Sequence, residues 1–224
     1  MFLAIADVLT ADELATAREQ LADAAFRDGR ETAGAAAAKV KSNRQADAAD
    51  PRTRDVRRLI AAALDRNPMF QSAARPAKLS PVLLSRSRTG DGYGAHLDDA
   101  IMRLGADDAM RADVAFTVFL SPPEAYAGGA LVIEATDGER AYRLPAGAAL
   151  VYPATTSHRV DPVTEGERLV AAGWAQSFVR APERRKILFD LSRALADAEA
   201  SGAAEAARRL RKTASNLLRM WAEL

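Results

Sequence analysis

Cysteine is absent from the 224 residues, so disulfide bonds, thiolate metal sites and cysteine nucleophiles are all excluded. That composition is compatible with a reducing compartment, and we expect a cytoplasmic protein. No apolar run approaches the ~18 residues that a membrane-spanning helix needs. The first residues lack the basic flank and the length of a secretory signal. We therefore expect no membrane association and no export.

An excess of charge of either sign is also lacking. Lysine and arginine number 31 against 30 aspartate and glutamate residues, a formal charge of +1, which gives no general field for nucleic acid or acidic lipid. Basic residues on a helix usually form its solvated face, and we read the C-terminal cluster in this way: Arg208, Arg209, Arg211 and Lys212. We expect no nucleic-acid partner.

The N-terminal 77 residues carry helical signals. Thr10 and Glu13 have the spacing of a capping box, and apolar residues recur after them at helical intervals. A second helix is predicted over residues 54–67, and Pro68 would end it. Between the two helices, residues 34–50 are interpreted as a loop or short strand, most simply a solvated linker.

Short apolar runs separated by turn residues dominate residues 78–179, with no helical period between them. This texture is typical of a closed antiparallel sandwich of the jelly-roll or cupin kind, which binds ligands in the mouth between its two sheets. Residues 180–224 return to a helical period, with an apolar stripe that would pack on the sandwich or on a second copy of the chain. We predict an α+β fold with a mainly β core at 78–179, an N-terminal helical region at 1–77 and C-terminal helices at 180–224.

Histidine occurs only twice, as His96 and His158. His96 precedes Asp98 by two residues, and on an extended strand both side chains project to the same face. Two histidines and one carboxylate that leave the other positions open form the ligand set of non-haem Fe(II) oxygenases. We predict that His158 is the third ligand. The alternative is that His96 only caps a turn beside Gly94, because an isolated His-X-Asp is common by chance.

Arg168 follows His158 by ten residues, across the turn-like stretch 161–166. A hairpin symmetric about Val163 predicts that the two side chains stand opposite each other, with Cβ atoms about 5 Å apart, unless a bulge shifts the register. A buried arginine needs an anionic partner, and its guanidinium fork fits a carboxylate. A dicarboxylate whose other end chelates the metal would satisfy both groups, and 2-oxoglutarate has that shape.

The residues after Arg168 alternate in character. Trp174 and Gln176 share the parity of Arg168, and the residues between them are mostly small. On a strand this parity sets one face, so Trp174 and Gln176 are candidate walls of the pocket. The alternative for Trp174 is an ordinary core position.

Seven short motifs occur in order along the chain: Tyr93-Gly-Ala-His-Leu-Asp98, Gly128-Gly-Ala-Leu-Val-Ile133, Leu144-Pro-Ala-Gly147, Val151-Tyr-Pro153, Ser157-His158, Gly166-Glu-Arg168 and Trp174-Ala-Gln-Ser177. Together they resemble the PKHD-type hydroxylases, which are PiuC-like bacterial members of the Fe(II)/2-oxoglutarate dioxygenases related to prolyl and lysyl hydroxylases. The resemblance extends to Ala33-Gly34-Ala35 and to the C-terminal stretch 216–221.

The resemblance implies a double-stranded β-helix core, with Fe(II) on His96, Asp98 and His158 and with 2-oxoglutarate on Arg168. It implies a hydroxylase that consumes dioxygen and attacks a C–H bond of a peptidyl proline or lysine or of a small molecule. The family is also associated with ascorbate and with iron acquisition. The alternatives are a cupin-like module that binds a metal or an anion without turnover, and a zinc-dependent isomerase or hydrolase.

Four positions stay open at this point. Ser87 stands where relatives are expected to carry a tyrosine, which puts the contribution of that position to co-substrate binding in doubt. Tyr93 is a candidate to take over that contribution. Asn43 and Gln45 could reach into the site, but their spacing does not decide their role.

Overall fold

A computed structural model of the chain describes residues 1–32, 34, 38–105 and 107–223. Two residues of the N-terminal motif, Ala33 and Ala35, therefore lie outside the described residues.

Five α-helices lie in the described ranges: α1 (Ala11–Ala22), α2 (Pro51–Arg66), α3 (Pro68–Ala74), α4 (Pro182–Ala200) and α5 (Ala204–Trp221). The Thr10 hydroxyl accepts from the Glu13 backbone N–H, and the Glu13 carboxylate accepts from the Thr10 N–H, which is the predicted capping box. Helix α2 begins earlier than predicted because Asp50 caps it and Pro51 fits the first turn. Pro68 ends one helix and opens the next, since Asn67 caps α3.

Sixteen strands follow one another along the same ranges: β1 (Leu3–Ile5), β2 (Phe26–Asp28), β3 (Lys41–Ser42), β4 (Arg44–Ala46), β5 (Pro76–Leu79), β6 (Leu83–Arg88), β7 (Gly92–His96), β8 (Ile101–Arg103), β9 (Ala109–Arg111), β10 (Val114–Phe119), β11 (Tyr126–Gly128), β12 (Leu131–Ala135), β13 (Gly138–Tyr142), β14 (Ala149–Pro153), β15 (His158–Val160) and β16 (Val163–Ser177). The larger sheet has the order β1-β14-β10-β16-β6-β4-β2, and β5 and β11 also pair with β16. The smaller sheet has the order β13-β12-β15-β7-β3, and β8 pairs with β9 alone.

The larger sheet is covered on both faces. Its outer face packs on α1, α2 and α3 through residues that include Leu21, Ile60, Phe70, Phe116 and Ala171, and its inner face meets the smaller sheet through residues that include Phe119, Leu131, Ile133, Tyr152 and Val170. Every residue of β10 is therefore buried. The architecture confirms the predicted mainly β core with flanking helices and is consistent with a double-stranded β-helix.

The region before residue 78 contributes strands as well as helices. Strand β3 pairs with β7 of the smaller sheet, and β4 pairs with β6 of the larger sheet. Residues 41–46 are therefore part of both walls of the sandwich and not a solvated linker. The division of the chain at residues 78 and 180 stays a prediction.

The hairpin predicted around Val163 does not form. Strand β15 lies between β12 and β7 in the smaller sheet, whereas β16 lies between β10 and β6 in the larger one. The chain crosses from one sheet to the other at residues 161–162, and the start of β16 pairs with β11 instead. Gly166 permits this close pairing, because its φ is +74° and an added Cβ would lie 2.2 Å from the Ala125 carbonyl oxygen.

Helix α5 packs against α4 with only Ala207 buried. Its basic residues pair with nearby carboxylates: Arg208 and Arg209 with Glu205, and Arg211 with Glu199. Assembly of copies through these helices stays a prediction. None of the helices in the described ranges combines the length and the hydropathy that crossing a bilayer requires.

Replacing Gly173 by alanine should destabilise the fold. An added Cβ would lie 2.6 Å from Cζ of Phe116, and overpacking of this kind costs about 1–3 kcal/mol. Urea unfolding measures the change in the free energy of unfolding. Gly105→Ala is the matched control, since nothing lies within 4 Å of its added Cβ; equal stability of the two variants would contradict the packing described for β10 and β16.

Candidate metal centre

A cavity of about 300 Å³ lies between the two sheets. Its walls include the side chains that the sequence predicted to meet, namely His96, Asp98, His158, Arg168, Tyr93 and Trp174. The smaller sheet supplies both histidines, and the larger sheet supplies Arg168 and Trp174. The cavity is thus built where the two sheets face each other.

The two histidines and Asp98 converge at one point of this cavity. His158 and His96 are register partners on neighbouring strands, and their ring centroids lie 4.3 Å apart. Oδ1 of Asp98 lies 3.8 Å from Nε2 of His158. One ligand atom from each of the three residues lies within 4.8 Å of the other two. A single cation between them could be bound by all three.

Both imidazoles have fixed orientations. Nδ1 of His96 donates to the Gly94 carbonyl oxygen at 2.8 Å, and Nδ1 of His158 donates to the Thr156 carbonyl oxygen at 3.0 Å. A carbonyl oxygen only accepts, so the proton resides on Nδ1 and the lone pair of Nε2 is free for a metal.

The electrostatics of the three ligands suit a divalent cation. Burial, followed by the charge of His158, lowers the pKa of His96 to about 4, so this imidazole stays neutral as coordination requires. Burial raises the pKa of Asp98, and Oδ2 of its carboxylate is buried without a hydrogen-bond partner. A metal ion would offset the cost of burying that carboxylate. The residues therefore fit a metal, with a nitrogen and oxygen donor set suited to Fe(II) or zinc.

Arg168 lies opposite Ser87 in the sheet and is 3% exposed. Burial lowers the pKa of Arg168, and its Nε has no hydrogen-bond partner. No aspartate or glutamate in the described ranges forms an ion pair with it. Tyr126 lies beside the guanidinium, and its interactions with Arg168, which include a side-chain hydrogen bond, raise the pKa of Arg168 against the effect of burial. Gly129 lies against both side chains. A carboxylate from outside the chain would supply the negative charge that the guanidinium lacks.

Tyr93 belongs to the metal end of the cavity. Its ring stacks on His96 at 3.6 Å and 18°, and Lys41 Nζ lies 5.2 Å from the centre of the tyrosine ring. Burial, followed by the charges of Asp98 and Asp99, raises the pKa of Tyr93 to about 12, so its hydroxyl keeps its proton. Ser87 sits at the other end, opposite Arg168.

Gln176 is not among the described residues that line the cavity. Its Oε1 accepts from the Arg111 backbone N–H at 3.0 Å, because β16 has passed the cavity by this residue and pairs with β5. The parity of Arg168 therefore identifies Trp174 as a wall but places Gln176 outside it.

The N-terminal strands bring further polar residues to the cavity. Asn43 and Gln45, which spacing left open, both line it, and Asn43 Nδ2 donates to the Ser85 hydroxyl at 2.9 Å. Lys41, which the sequence reasoning missed, is buried in the same wall, and burial lowers its pKa to about 8. The pairing of β3 with β7 and of β4 with β6 brings this segment to the cavity, and no local motif marks its residues.

Residues 82–176 match the model of the 2OG-Fe(II) oxygenase superfamily. A PKHD-type hydroxylase of Synechococcus sp. is 48% identical over 225 residues, covering 100% of this chain and 100% of the relative. Another, from Parvibaculum lavamentivorans, is 45% identical over 224 residues and also covers 100% of each chain.

Solved structures share the fold at low identity. A prolyl hydroxylase from Trichoplax adhaerens, in complex with a hypoxia inducible factor oxygen degradation domain peptide fragment, has a TM-score of 0.60 at 13% identity and covers 84% of this chain and 86% of its own. HygX from Streptomyces hygroscopicus, with nickel, 2-oxoglutarate and hygromycin B bound, has a TM-score of 0.51 at 18% identity and covers 80% and 84%.

The fold and these relatives define an oxygenase of the iron- and 2-oxoglutarate-dependent class. The chain belongs to the PKHD-type hydroxylases. It is a 2-oxoglutarate-dependent hydroxylase, and its family implies Fe(II), 2-oxoglutarate and dioxygen.

Replacing His158 by alanine should abolish metal binding and leave the fold intact. Loss of one of three ligands should weaken Fe(II) binding beyond the about 10–100-fold typical of outer-shell changes. Anaerobic equilibrium dialysis measures the Fe(II) affinity of the variant. Arg159→Ala is the matched control, because Arg159 follows on the same strand but pairs with Glu139 and Asp161. Wild-type iron affinity in His158→Ala would remove this histidine from the site.

Proposed function

We propose that His96, Asp98 and His158 hold the catalytic Fe(II) and that Arg168 binds the distal carboxylate of 2-oxoglutarate. The observation that carries the proposal is the combination of three ligand atoms within 4.8 Å of one another and a buried arginine without an internal anion in the same cavity. A zinc hydrolase would account for the first feature and leave the second unexplained.

When bound, Fe(II) supplies the chemistry that couples conversion of 2-oxoglutarate and dioxygen into succinate and carbon dioxide to hydroxylation of a C–H bond. The side chains of the protein orient the metal ligands and shield the site from water. The Gly94 and Thr156 carbonyls fix the imidazoles, and Tyr152 packs edge-on against His158 at 5.3 Å. Asp98 supplies negative charge, and apolar walls such as Leu131 and Val170 exclude water.

Tyr93 is proposed to assist co-substrate binding from the metal end of the cavity. Its hydroxyl keeps its proton, as the raised pKa shows, so it can donate to a carboxylate or keto oxygen. Trp174 is proposed as a wall of the same pocket. Ser87 lies on β6 of the larger sheet, opposite Arg168, and Tyr93 lies on β7 of the smaller sheet. Replacement of the expected tyrosine by Tyr93 stays a prediction.

The substrate is proposed to enter as one side chain or one small group. The cavity of about 300 Å³ lies at the lower end of the volumes that bury a drug-sized ligand, and 2-oxoglutarate must share it. Leu97 lines the cavity and is 60% exposed, so it offers apolar contact at the mouth. A peptidyl proline or lysine fits this description, and so does one end of a small molecule.

The two structural neighbours span the same choice, because one is in complex with a peptide fragment and the other has hygromycin B bound. A screen of peptides and small metabolites, read out by substrate-stimulated succinate formation, distinguishes the two classes. Use of ascorbate, a link to iron acquisition and a cytoplasmic location stay predictions.

Turnover itself is tested without a substrate. Protein incubated with Fe(II), ascorbate and 2-oxoglutarate under air should form succinate slowly, and Arg168→Ala should abolish this formation. Absence of succinate from the wild-type chain under every condition would instead favour a module that binds a metal or an anion without turnover.

Replacing Arg168 by lysine should raise the apparent KM for 2-oxoglutarate. The fork of two parallel hydrogen bonds is lost, and a hydrogen bond to a charged group contributes about 1.5–3 kcal/mol, which corresponds to roughly 10–100-fold. Initial rates of succinate formation at varied 2-oxoglutarate measure the change. Arg159→Lys is the control and should leave the KM unaltered; an unaltered KM in Arg168→Lys would place the co-substrate elsewhere.

A further inference from the structure

The carboxylate of Asp98 has two oxygens in different surroundings. Oδ1 faces the histidines, at 3.8 Å from Nε2 of His158. Oδ2 is buried and has no hydrogen-bond partner. A buried carboxylate oxygen without a donor is costly. A donor at Oδ2 would also decide which oxygen the metal receives, because the carboxylate could not turn about its Cβ–Cγ bond.

Trp174 presents a donor that lacks an acceptor. The indole N–H is buried without a hydrogen-bond partner, and the ring lines the same cavity as Asp98. An indole N–H only donates, and it usually finds an acceptor when buried. The backbone of Trp174 is held on both sides by Ser80, whose hydroxyl accepts from its N–H at 2.9 Å and whose N–H donates to its carbonyl oxygen at 2.9 Å.

The other buried polar atoms of the cavity can be assigned elsewhere, which leaves Asp98 Oδ2 and Trp174 Nε1 to each other. Among the described residues that line the cavity, the side-chain atoms that are buried without a partner are Asn43 Oδ1, Asp98 Oδ2, Arg168 Nε and Trp174 Nε1. Asn43 Oδ1 packs against Gly29, where an added Cβ would lie 1.8 Å away. The proposed function assigns Arg168 to the carboxylate of 2-oxoglutarate. Burial raises the pKa of Asp98, whereas the charge of His158 and then hydrogen bonding from the Trp174 side chain lower it, which places the indole donor within reach of this carboxylate.

We propose that Trp174 is a positioning residue whose indole N–H holds Oδ2 of Asp98 and thereby leaves Oδ1 for the metal. The inference rests on the metal site of the proposed function. It assigns Trp174 a polar task beyond that of a pocket wall. Without the N–H, the carboxylate is free to rotate, and the metal site loses both affinity and a fixed ligand arrangement.

Trp174→Phe tests the proposal, because it keeps a ring in the wall and removes the N–H. Co(II) serves as the probe, since its absorption spectrum reports both occupancy and ligand arrangement. The Kd for Co(II) should rise about 10–100-fold, and the spectrum of the loaded variant should change. Trp221→Phe removes the chain's other tryptophan, on α5, and should leave the Kd and the spectrum unaltered.

The outcomes separate the two proposals. Wild-type affinity and spectrum in Trp174→Phe would overturn the role of the indole while the metal site stands. Failure of the wild-type chain to bind Co(II) would overturn the metal site itself.

A second measurement does not depend on how Trp174→Phe folds. With Trp221→Phe as background, Trp174 gives the single indole N–H signal in a 15N-labelled sample. This proton should exchange slowly, and Asp98→Asn should shift its resonance and speed its exchange, because the bond loses its charged acceptor. A resonance that Asp98→Asn leaves in place would overturn the proposal.

Discussion

Burial of charge without an internal counter-charge is the constraint on which this structure depends. The side chains of Asp98 and Arg168 are both buried within the sandwich, and neither forms an ion pair with a lysine, arginine, aspartate or glutamate of the described residues. Each unpaired buried charge costs free energy, so the cavity requires a cation at one end and an anion at the other. A metal ion and a dicarboxylate that chelates it meet both requirements together, which explains why one small space carries opposite charges at its two ends.

Each of the two sheets supplies a different set of side chains to this cavity. The smaller sheet places the histidines side by side on β7 and β15, and backbone carbonyls lock their rings. The larger sheet places Arg168 and Trp174 on β16, which β10 and β6 hold on either side. Helices α1 to α3 cover the outer face of that sheet. The inner face of β16 is therefore held rigidly while its residues point into the cavity, as a preorganised site requires.

Local sequence signals predicted the features that depend on local geometry. The capping box at Thr10 and the alternation from Arg168 to Trp174 each follow from the period of one helix or strand. Asp98 lies two residues beyond the end of β7 at His96, so the two ligand atoms converge although one strand does not carry both residues. Pairing between distant segments was not accessible in this way. The chain crosses between sheets before Val163, so the His158–Arg168 hairpin was wrong although both residues reach the same cavity. Strands β3 and β4 bring three further polar residues to the wall of the cavity, namely Lys41, Asn43 and Gln45. Gln176 lies outside this wall because β16 extends past the cavity.

The most direct test is a crystal structure of the chain grown without oxygen in the presence of Fe(II) and 2-oxoglutarate, with the metal located by its anomalous scattering. The account predicts one iron bound to Nε2 of His96, Oδ1 of Asp98 and Nε2 of His158, and one 2-oxoglutarate whose distal carboxylate meets the Arg168 guanidinium. Iron held by other residues, or a guanidinium of Arg168 that stays without an anion, would contradict it.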